Sequence, residues 1–291
     1  MSAKNINAIA RGWVSGLLGM LVTACRPVAI LNAMIPKRQM EILPDIPFGD
    51  LPRQKLDIYR PRLLSGKSLP VVVFFYGGSW DSGSKNDYLF VAEALTAQGY
   101  LTVIADYRLY PEVKFPQLMQ DPALALQWVK KHIANYHGDP QRLFMMGHSA
   151  GAHLAVMLSL NEEYLAAVGL KPDAIVGTIG LAGAYDFLPL TSSRLKSIFA
   201  PADQEWISQP INFVNGHHPP LLLLTGTADR TVWPRNSINL AHAVEAKGGQ
   251  VQLITYQGYD HVDMIAKLAR PLRGDQRLLQ DVVNWLRLRG G

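Results

Sequence analysis

A chain of 291 residues, 48% of them apolar and 18% charged, has the side chains for a full buried core, which excludes a disordered or low-complexity protein. The net charge of +5 falls to +3 once Lys4 and Arg11 are set aside with their acid-free N-terminal stretch, too weak a balance to argue for nucleic acid. The single cysteine, Cys25, excludes an intrachain disulfide and any zinc site built on cysteines.

In chain order, the first feature is a basic stretch followed by the apolar run Trp13 to Val22 and then Leu21-Val22-Thr23-Ala24-Cys25. The run is shorter than the roughly 20 residues needed to cross a bilayer. The pattern resembles a bacterial lipoprotein signal, with an aliphatic residue three before the cysteine and small residues between. Residues 1–24 are therefore expected to be a signal segment, Cys25 a lipidation site, and the protein a lipid-anchored one in the cell envelope, facing the periplasm or exterior. Arg26-Pro27 directly after the cysteine departs from that pattern. An uncleaved amphipathic anchor, a helix packed on the domain, and a cytoplasmic protein stay open as alternatives. Residues 25–53 read as a linker that contributes to a cap.

From residue 54 to 291 the pattern becomes that of one catalytic domain. Lys55 to Tyr59 reads as an early antiparallel strand, stopped by Arg60-Pro61. Val71 to Phe75 is a continuous apolar run, as in a strand covered on both faces. A helix is expected over 88–98, a strand over 101–105 and a helix over 122–135. Next come the strand Leu143 to Met146, a helix over 152–160, and strands at 175–181, 221–224 and 251–255. A helix over 236–247 and a final amphipathic one through Leu278, Leu279, Val282, Val283 and Leu286 complete the series. Repeated strand–helix units imply an α/β fold with one mostly parallel twisted sheet, helices on both faces, and ligands at the carboxyl ends of the strands. The long connection 184–220 emerges over that same edge and is expected to form a small cap-like insertion.

Gly147-His148-Ser149-Ala150-Gly151 lies between the 143–146 strand and its following helix. A serine hydroxyl attacks only when held exposed beside a base, and a sharp strand–Gly-x-Ser-x-Gly–helix turn holds it so. Of eight histidines, His261 stands in the loop beyond the last strand's carboxyl end and is expected to be the base. His153, one turn into the helix after Ser149, reads as packing, and the pair His217-His218 as a loop cap. The acid should fall between Ser149 and His261 in the chain. Asp229, after the 221–224 strand, fits; Asp186, after the preceding strand, is the alternative. Asp260 adjoins His261, and neighbouring side chains in an extended loop point apart. Tyr76-Gly77-Gly78-Ser79-Trp80 ends the 71–75 strand and offers main-chain donors for an oxyanion, together with the N–H of Ala150.

Jointly these residues resemble the α/β-hydrolase superfamily, in its esterase branch with a His-Gly-Gly-x-Trp loop. That branch includes hormone-sensitive-lipase-like carboxylesterases, arylformamidases and isoprenylcysteine methylesterase-like enzymes. Asp106-Tyr107-Arg108-Leu109-Tyr110-Pro111-Glu112 and Gly138-Asp139-Pro140-Gln141-Arg142 are similar to segments of the branch, as are Gly183-Ala184-Tyr185-Asp186 and Asp260-His261-Val262-Asp263. Tyr76 stands where the branch usually has histidine. The resemblance implies a carboxylic ester hydrolase acting on small or short-chain esters, with no metal or organic cofactor. Ser149 would be the nucleophile, His261 the base and Asp229 the acid. Gly78, Ser79 and Ala150 would bind the oxyanion, and Gly77 would supply the turn. An arylformamidase-type amidase uses the same triad and stays open. A hydrolase fold serving as an inactive binding module is the alternative of another class, although such modules typically lack the serine, histidine or glycines present here. The 184–220 segment is short for the large lid of a lipase.

Overall fold

The computed structural model describes residues 27–63, 66, 68–199, 202–274 and 276–290. The signal-like segment 1–24 and Cys25 lie outside the described residues.

The sheet has eight strands: β1 (Met40–Pro47), β2 (Lys55–Pro61), β3 (Leu69–Phe75), β4 (Leu101–Ala105), β5 (Gly138–His148), β6 (Gly177–Leu181), β7 (Leu221–Gly226) and β8 (Val251–Tyr256), in the order β1-β2-β4-β3-β5-β6-β7-β8. β1 and β2 are antiparallel to each other, β2 is antiparallel to β4, and every later pairing is parallel. β4, β6 and β7 are buried along their whole length, because helices cover both faces and leave no polar side for alternation.

β1 lies within the stretch that reads as a linker. Its sequence, Met40-Glu41-Ile42-Leu43-Pro44-Asp45-Ile46-Pro47, carries two prolines and breaks register between Leu43 and Ile46. Proline cannot donate to a ladder, so it is tolerated here only because β1 is an edge strand. That same feature hides the strand from pattern reading.

The helices are α1 (Pro27–Ala33), α2 (Leu89–Thr96), α3 (Gln120–His132), α4 (Ala150–Leu160), α5 (Glu162–Ala166), α6 (Ser193–Ile198), α7 (Arg235–Ala246), α8 (Asp263–Ala266) and α9 (Arg277–Gly290). α4 is buried throughout, which matches its nearly uniform apolar composition. The 184–220 connection holds α6 and two 3₁₀ turns, Ala202–Ser208 and Pro210–Phe213. Its Phe187 and Phe199 pack on Trp80, with ring centroids 5.9 and 4.9 Å away. The connection therefore roofs the carboxyl ends of β3 and β5, where the chemistry-bearing residues gather.

Candidate active site

Ser149 sits at the corner between β5 and α4 with φ 54° and ψ −120°, a left-handed conformation that costs a non-glycine residue about 1–3 kcal/mol. Its N–H donates to the carbonyl of Leu181 at 2.9 Å, and its own carbonyl accepts from His153 N at 3.0 Å. These bonds tie the corner to β6 and to the first turn of α4. A Cβ on Gly147 would strike the carbonyl of Gly151, and one on Gly151 would strike that of Phe75. The two flanking glycines are thus required by how closely α4 begins against β3 and β5. Ala150 opens the helix, so its N–H belongs to the first-turn donors that an α-helix leaves without an internal acceptor.

His261 Nδ1 lies 2.8 Å from Asp229 Oδ2, with the carboxylate fully buried and the imidazole 15% exposed. Asp229 Oδ1 accepts from the N–H groups of Thr231 and Val232, both at 2.9 Å. Asp229 is held by the turn that carries it. Ala228 N donates to Tyr259 O at 3.0 Å and Gly258 N to Thr227 Oγ1 at 2.8 Å, which laces the exits of β7 and β8 together. Asp229 accepts the Nδ1–H of His261, so Nε2 is left with its lone pair for a proton. Asp186 does not approach His261: its Oδ2 accepts from Asn239 Nδ2 at 2.6 Å, and its N–H donates to Asn236 Oδ1 at 2.8 Å. Asp260 and Asp263 bond each other's backbone N–H groups and cap α8.

His148, the residue before Ser149, is a part of the site that pattern reading leaves without a role. Its Nε2–H donates to the backbone carbonyl of His261 at 3.2 Å, and the two rings lie 4.8 Å apart. Burial, and then the neighbouring His261, push its pKa down to about 3, so the ring is neutral. Its Nδ1 lies 3.0 Å from where a Cβ on Gly77 would stand. His148 therefore fills the space between the base's loop and the oxyanion loop. No sequence signal distinguishes it, because the Gly-x-Ser-x-Gly pattern leaves the residue before the serine unspecified.

The oxyanion loop turns at Gly78 (φ 135°), and Ser79 (φ 52°) and Trp80 (φ 62°) follow in the left-handed region. A Cβ on Gly78 would collide with the carbonyl of Ser82. The turn thus belongs to Gly78, not to Gly77 as expected. Gly77 instead runs beside Ser149, where an added Cβ would stand 3.1 Å from the serine's own. The carbonyl of Gly78 accepts from Asp81 N at 3.1 Å and from Ser82 N at 3.0 Å.

Tyr76 explains the departure from histidine. Its hydroxyl donates to Asp106 Oδ1 at 2.7 Å and accepts from Arg53 Nη2 at 2.8 Å, while its ring stacks on Tyr107 at 4.6 Å. Burial first, then the neighbouring Tyr107 and Asp106, raise this phenol's pKa, and it stays protonated. Arg53 also donates to the carbonyls of Tyr107 and Gly83, and Tyr107 donates its hydroxyl to the carbonyl of Tyr76 at 2.7 Å. Further along the loop, buried Lys85 places its ammonium 2.7 Å from Asp57 and 2.8 Å from Asp45. Asp106 anchors this network, and Arg108 grips the buried Asp121 through two nitrogens at 2.9 Å. The Asp-Tyr-Arg segment is thus scaffold for the oxyanion loop.

A cleft of about 540 Å³ opens above Ser149, lined among others by Ser79, Trp80, Phe187, Leu195 and Trp233. Trp80 Nε1–H donates to His153 Nδ1 at 3.3 Å, and His153 Nε2–H to the carbonyl of Ser208 at 2.8 Å. Burial lowers the pKa of His153 to about 4. A neutral imidazole thereby joins the oxyanion loop to the cap, a structural part consistent with its reading as packing. Among the described residues, no three His, Cys, Asp or Glu side chains are grouped to hold a metal ion.

A strained serine between β5 and α4, a histidine–aspartate pair at the ends of β8 and β7, and the sheet order beneath them define an α/β-hydrolase of the esterase branch. Residues 56–244, more than half of the chain, match the model of the BD-FAE family, and the chain belongs to that family. A probable isoprenylcysteine alpha-carbonyl methylesterase of Arabidopsis thaliana, ICMEL1, is 30% identical over 261 residues. The match takes in 82% of this chain and 54% of the methylesterase, so the chain spans about half the length of that relative. Kynurenine formamidase of Danio rerio is 26% identical over 234 residues, covering 78% of this chain and 77% of the formamidase. Among solved structures, inhibited esterase B from Lactobacillus rhamnosis superposes with a TM-score of 0.77 at 18% identity, covering 97% of this chain and 96% of that one. That likeness is one of fold.

Proposed function

We propose that the protein is a serine carboxylesterase that hydrolyses small or short-chain carboxylic esters through an acyl-enzyme. The observation that carries the reading is the 2.8 Å bond from His261 to buried Asp229, in a site whose serine is held at φ 54° on the floor of an open cleft. Ser149 attacks the ester carbonyl as His261 Nε2 takes its proton, and Asp229 holds the imidazole in the tautomer that makes this possible. The N–H groups of Gly78, Ser79 and Ala150 receive the negative charge that builds on the carbonyl oxygen. His261 then protonates the departing alcohol, and the same imidazole activates the water that releases the acid. Short substrates fit a cleft roofed by the aromatic side chains of the 184–220 connection.

Ser149→Ala should lower turnover on p-nitrophenyl acetate by roughly 10⁶ with an unchanged far-UV spectrum, since removing a triad nucleophile removes the mechanism. Residual activity above a few per cent would refute it. The similarity to a kynurenine formamidase favours N-formylkynurenine as the second substrate to assay in parallel; preferential cleavage of that amide would make the enzyme a formamidase on the same triad.

The N-terminal sequence supports a lipid-anchored form beginning at Cys25, in the cell envelope. Mass spectrometry of detergent-extracted native protein should find an acylated Cys25, and an unmodified Met1 or Ser2 terminus would remove that part of the proposal.

A further inference from the structure

Sharing no lining residue with the cleft, α1 and the segment from Val262 to Leu272 enclose a second groove of about 390 Å³, lined solely by apolar and aromatic side chains. Four of its lining residues are large apolar side chains left open to solvent: Ile30 at 51%, Met34 at 60%, Val262 at 65% and Leu272 at 45%. Isolated exposed apolar residues need no explanation, but four of them around one apolar groove mark an interaction surface.

The groove's setting points to its occupant. Lys37 and Arg38 follow α1, and Arg270 lies between groove residues Ala266 and Leu272; all three are exposed. An apolar surface flanked by cations suits an anionic lipid interface, where the apolar side chains enter the acyl boundary and the cations meet the headgroups. The chain leading into α1 carries the apolar run and the cysteine on which the proposed lipid anchor rests. Cys25 stands two residues before Pro27 and the apolar run ends at Val22, five before it. At about 3.5 Å per extended residue, two residues of chain span at most about 7 Å and five at most about 18 Å. Whichever of the two meets a membrane, α1 and its groove are held at that membrane's surface, which raises the effective concentration of lipid at the groove.

We propose that this groove is a docking face for a phospholipid bilayer, so that the catalytic domain rests on the membrane through α1 and the 262–272 segment. The proposal concerns the folded domain and holds whatever ester the cleft accepts.

The test uses the full chain with Cys25→Ser and a polarity-sensitive fluorophore on Leu272→Cys. On vesicles of phosphatidylcholine mixed with phosphatidylglycerol, the label should shift to the blue and be quenched by acyl-brominated lipid. The same label on Leu288→Cys, an exposed position outside the groove lining, should stay aqueous. Met34→Asp combined with Leu272→Asp should weaken vesicle binding at least about tenfold while leaving hydrolysis of a soluble short-chain ester unchanged. A Leu272 label that stays aqueous on bound vesicles, or a double variant that binds like wild type, overturns the proposal. So does a blue shift that rises with protein concentration in the absence of vesicles, since the occupant is then a second copy of the chain.

Discussion

Asp229 and His261 stand on loops fixed by their own backbones, whereas the Tyr76–Trp80 loop is held by charged groups from distant parts of the chain. On the first side, Asp229 is oriented by Thr231 and Val232, two and three residues away. On the second, Tyr76 is gripped by Arg53 and Asp106, and Lys85 by Asp57 and Asp45, with Asp57 on β2, Asp45 on β1 and Asp106 directly after β4. A locally held element needs only its short sequence to be right. An element held from afar needs the antiparallel edge of the sheet to be folded first. The edge strands therefore hold the Tyr76–Trp80 loop in place.

Of the two sides, the larger effect is expected on breaking the locally held one. Asp229→Asn keeps the shape of the turn but removes the charge and tautomer control, so kcat should fall roughly 10⁴-fold. Asp186→Asn should change kcat by no more than about threefold, because that carboxylate answers to Asn239 and lies apart from the base. Steady-state kinetics on one ester decides both, and a reversed ranking would transfer the acid's role to Asp186.

On the other side, Gly78→Ala forces a Cβ against the carbonyl of Ser82 at a φ of 135°. The loop must shift and lose a donor, which should cost about 10²–10³ in kcat. An alanine variant with wild-type kcat would place the oxyanion donors elsewhere. If melting falls but kcat survives, the loop's position is set by its anchors and is not sensitive to its own turn.

The same contrast governs what the sequence disclosed. The Gly-x-Ser-x-Gly turn, the parallel strands and the positions of Ser149, Asp229 and His261 after β5, β7 and β8 were legible because each is written within a few residues. Two things were not. β1 was hidden by Pro44, Pro47 and a register break, which erase the strand's alternation. The anchoring network was hidden because Arg53, Asp57, Lys85 and Asp106 are spread over more than fifty positions. Lys85 and Asp57 are each 2% exposed. Burial of a charge depends on a partner, and a partner distant in sequence leaves no local pattern. His148 was missed for a related reason, since its function depends on a carbonyl 113 residues away.

A third expectation joins the two sides through their histidines. His148 and His153 are buried and neutral, with pKa values pushed down to about 3 and about 4, against about 6.5 in an unfolded chain. Between these limits the unfolded state binds more protons, so stability is fully present above about pH 6.5 and declines as pH falls toward 4. Each group should account for a loss on the order of 2 kcal/mol by pH 5. Chemical denaturation at pH 7, 6 and 5 checks this, and His153→Gln should make the decline shallower. A decline as steep as in wild type would mean that His153 does not contribute to it.

The smallest effect is expected at Tyr76, where the comparison is sharpest. Tyr76→Phe removes one hydroxyl from a network that retains most of its bonds. Asp106 keeps the N–H of Lys85 at 2.8 Å and has Arg53 at 3.7 Å, close enough to pair once the phenol is gone. Arg53 keeps the carbonyls of Tyr107 and Gly83. The loss should therefore be that of an ordinary buried hydrogen bond, about 1–2 kcal/mol of stability, with kcat within about threefold of wild type. Tyr76→His, which restores the residue usual in the resembling esterases, should likewise remain active, because the backbone and not this side chain meets the oxyanion. Thermal melting and kinetics on the same preparations separate the possibilities. A Tyr76→Phe enzyme that melts normally but loses more than about 10² in kcat would give the phenol a direct part in catalysis, since no loss of anchoring could act on the rate without touching stability.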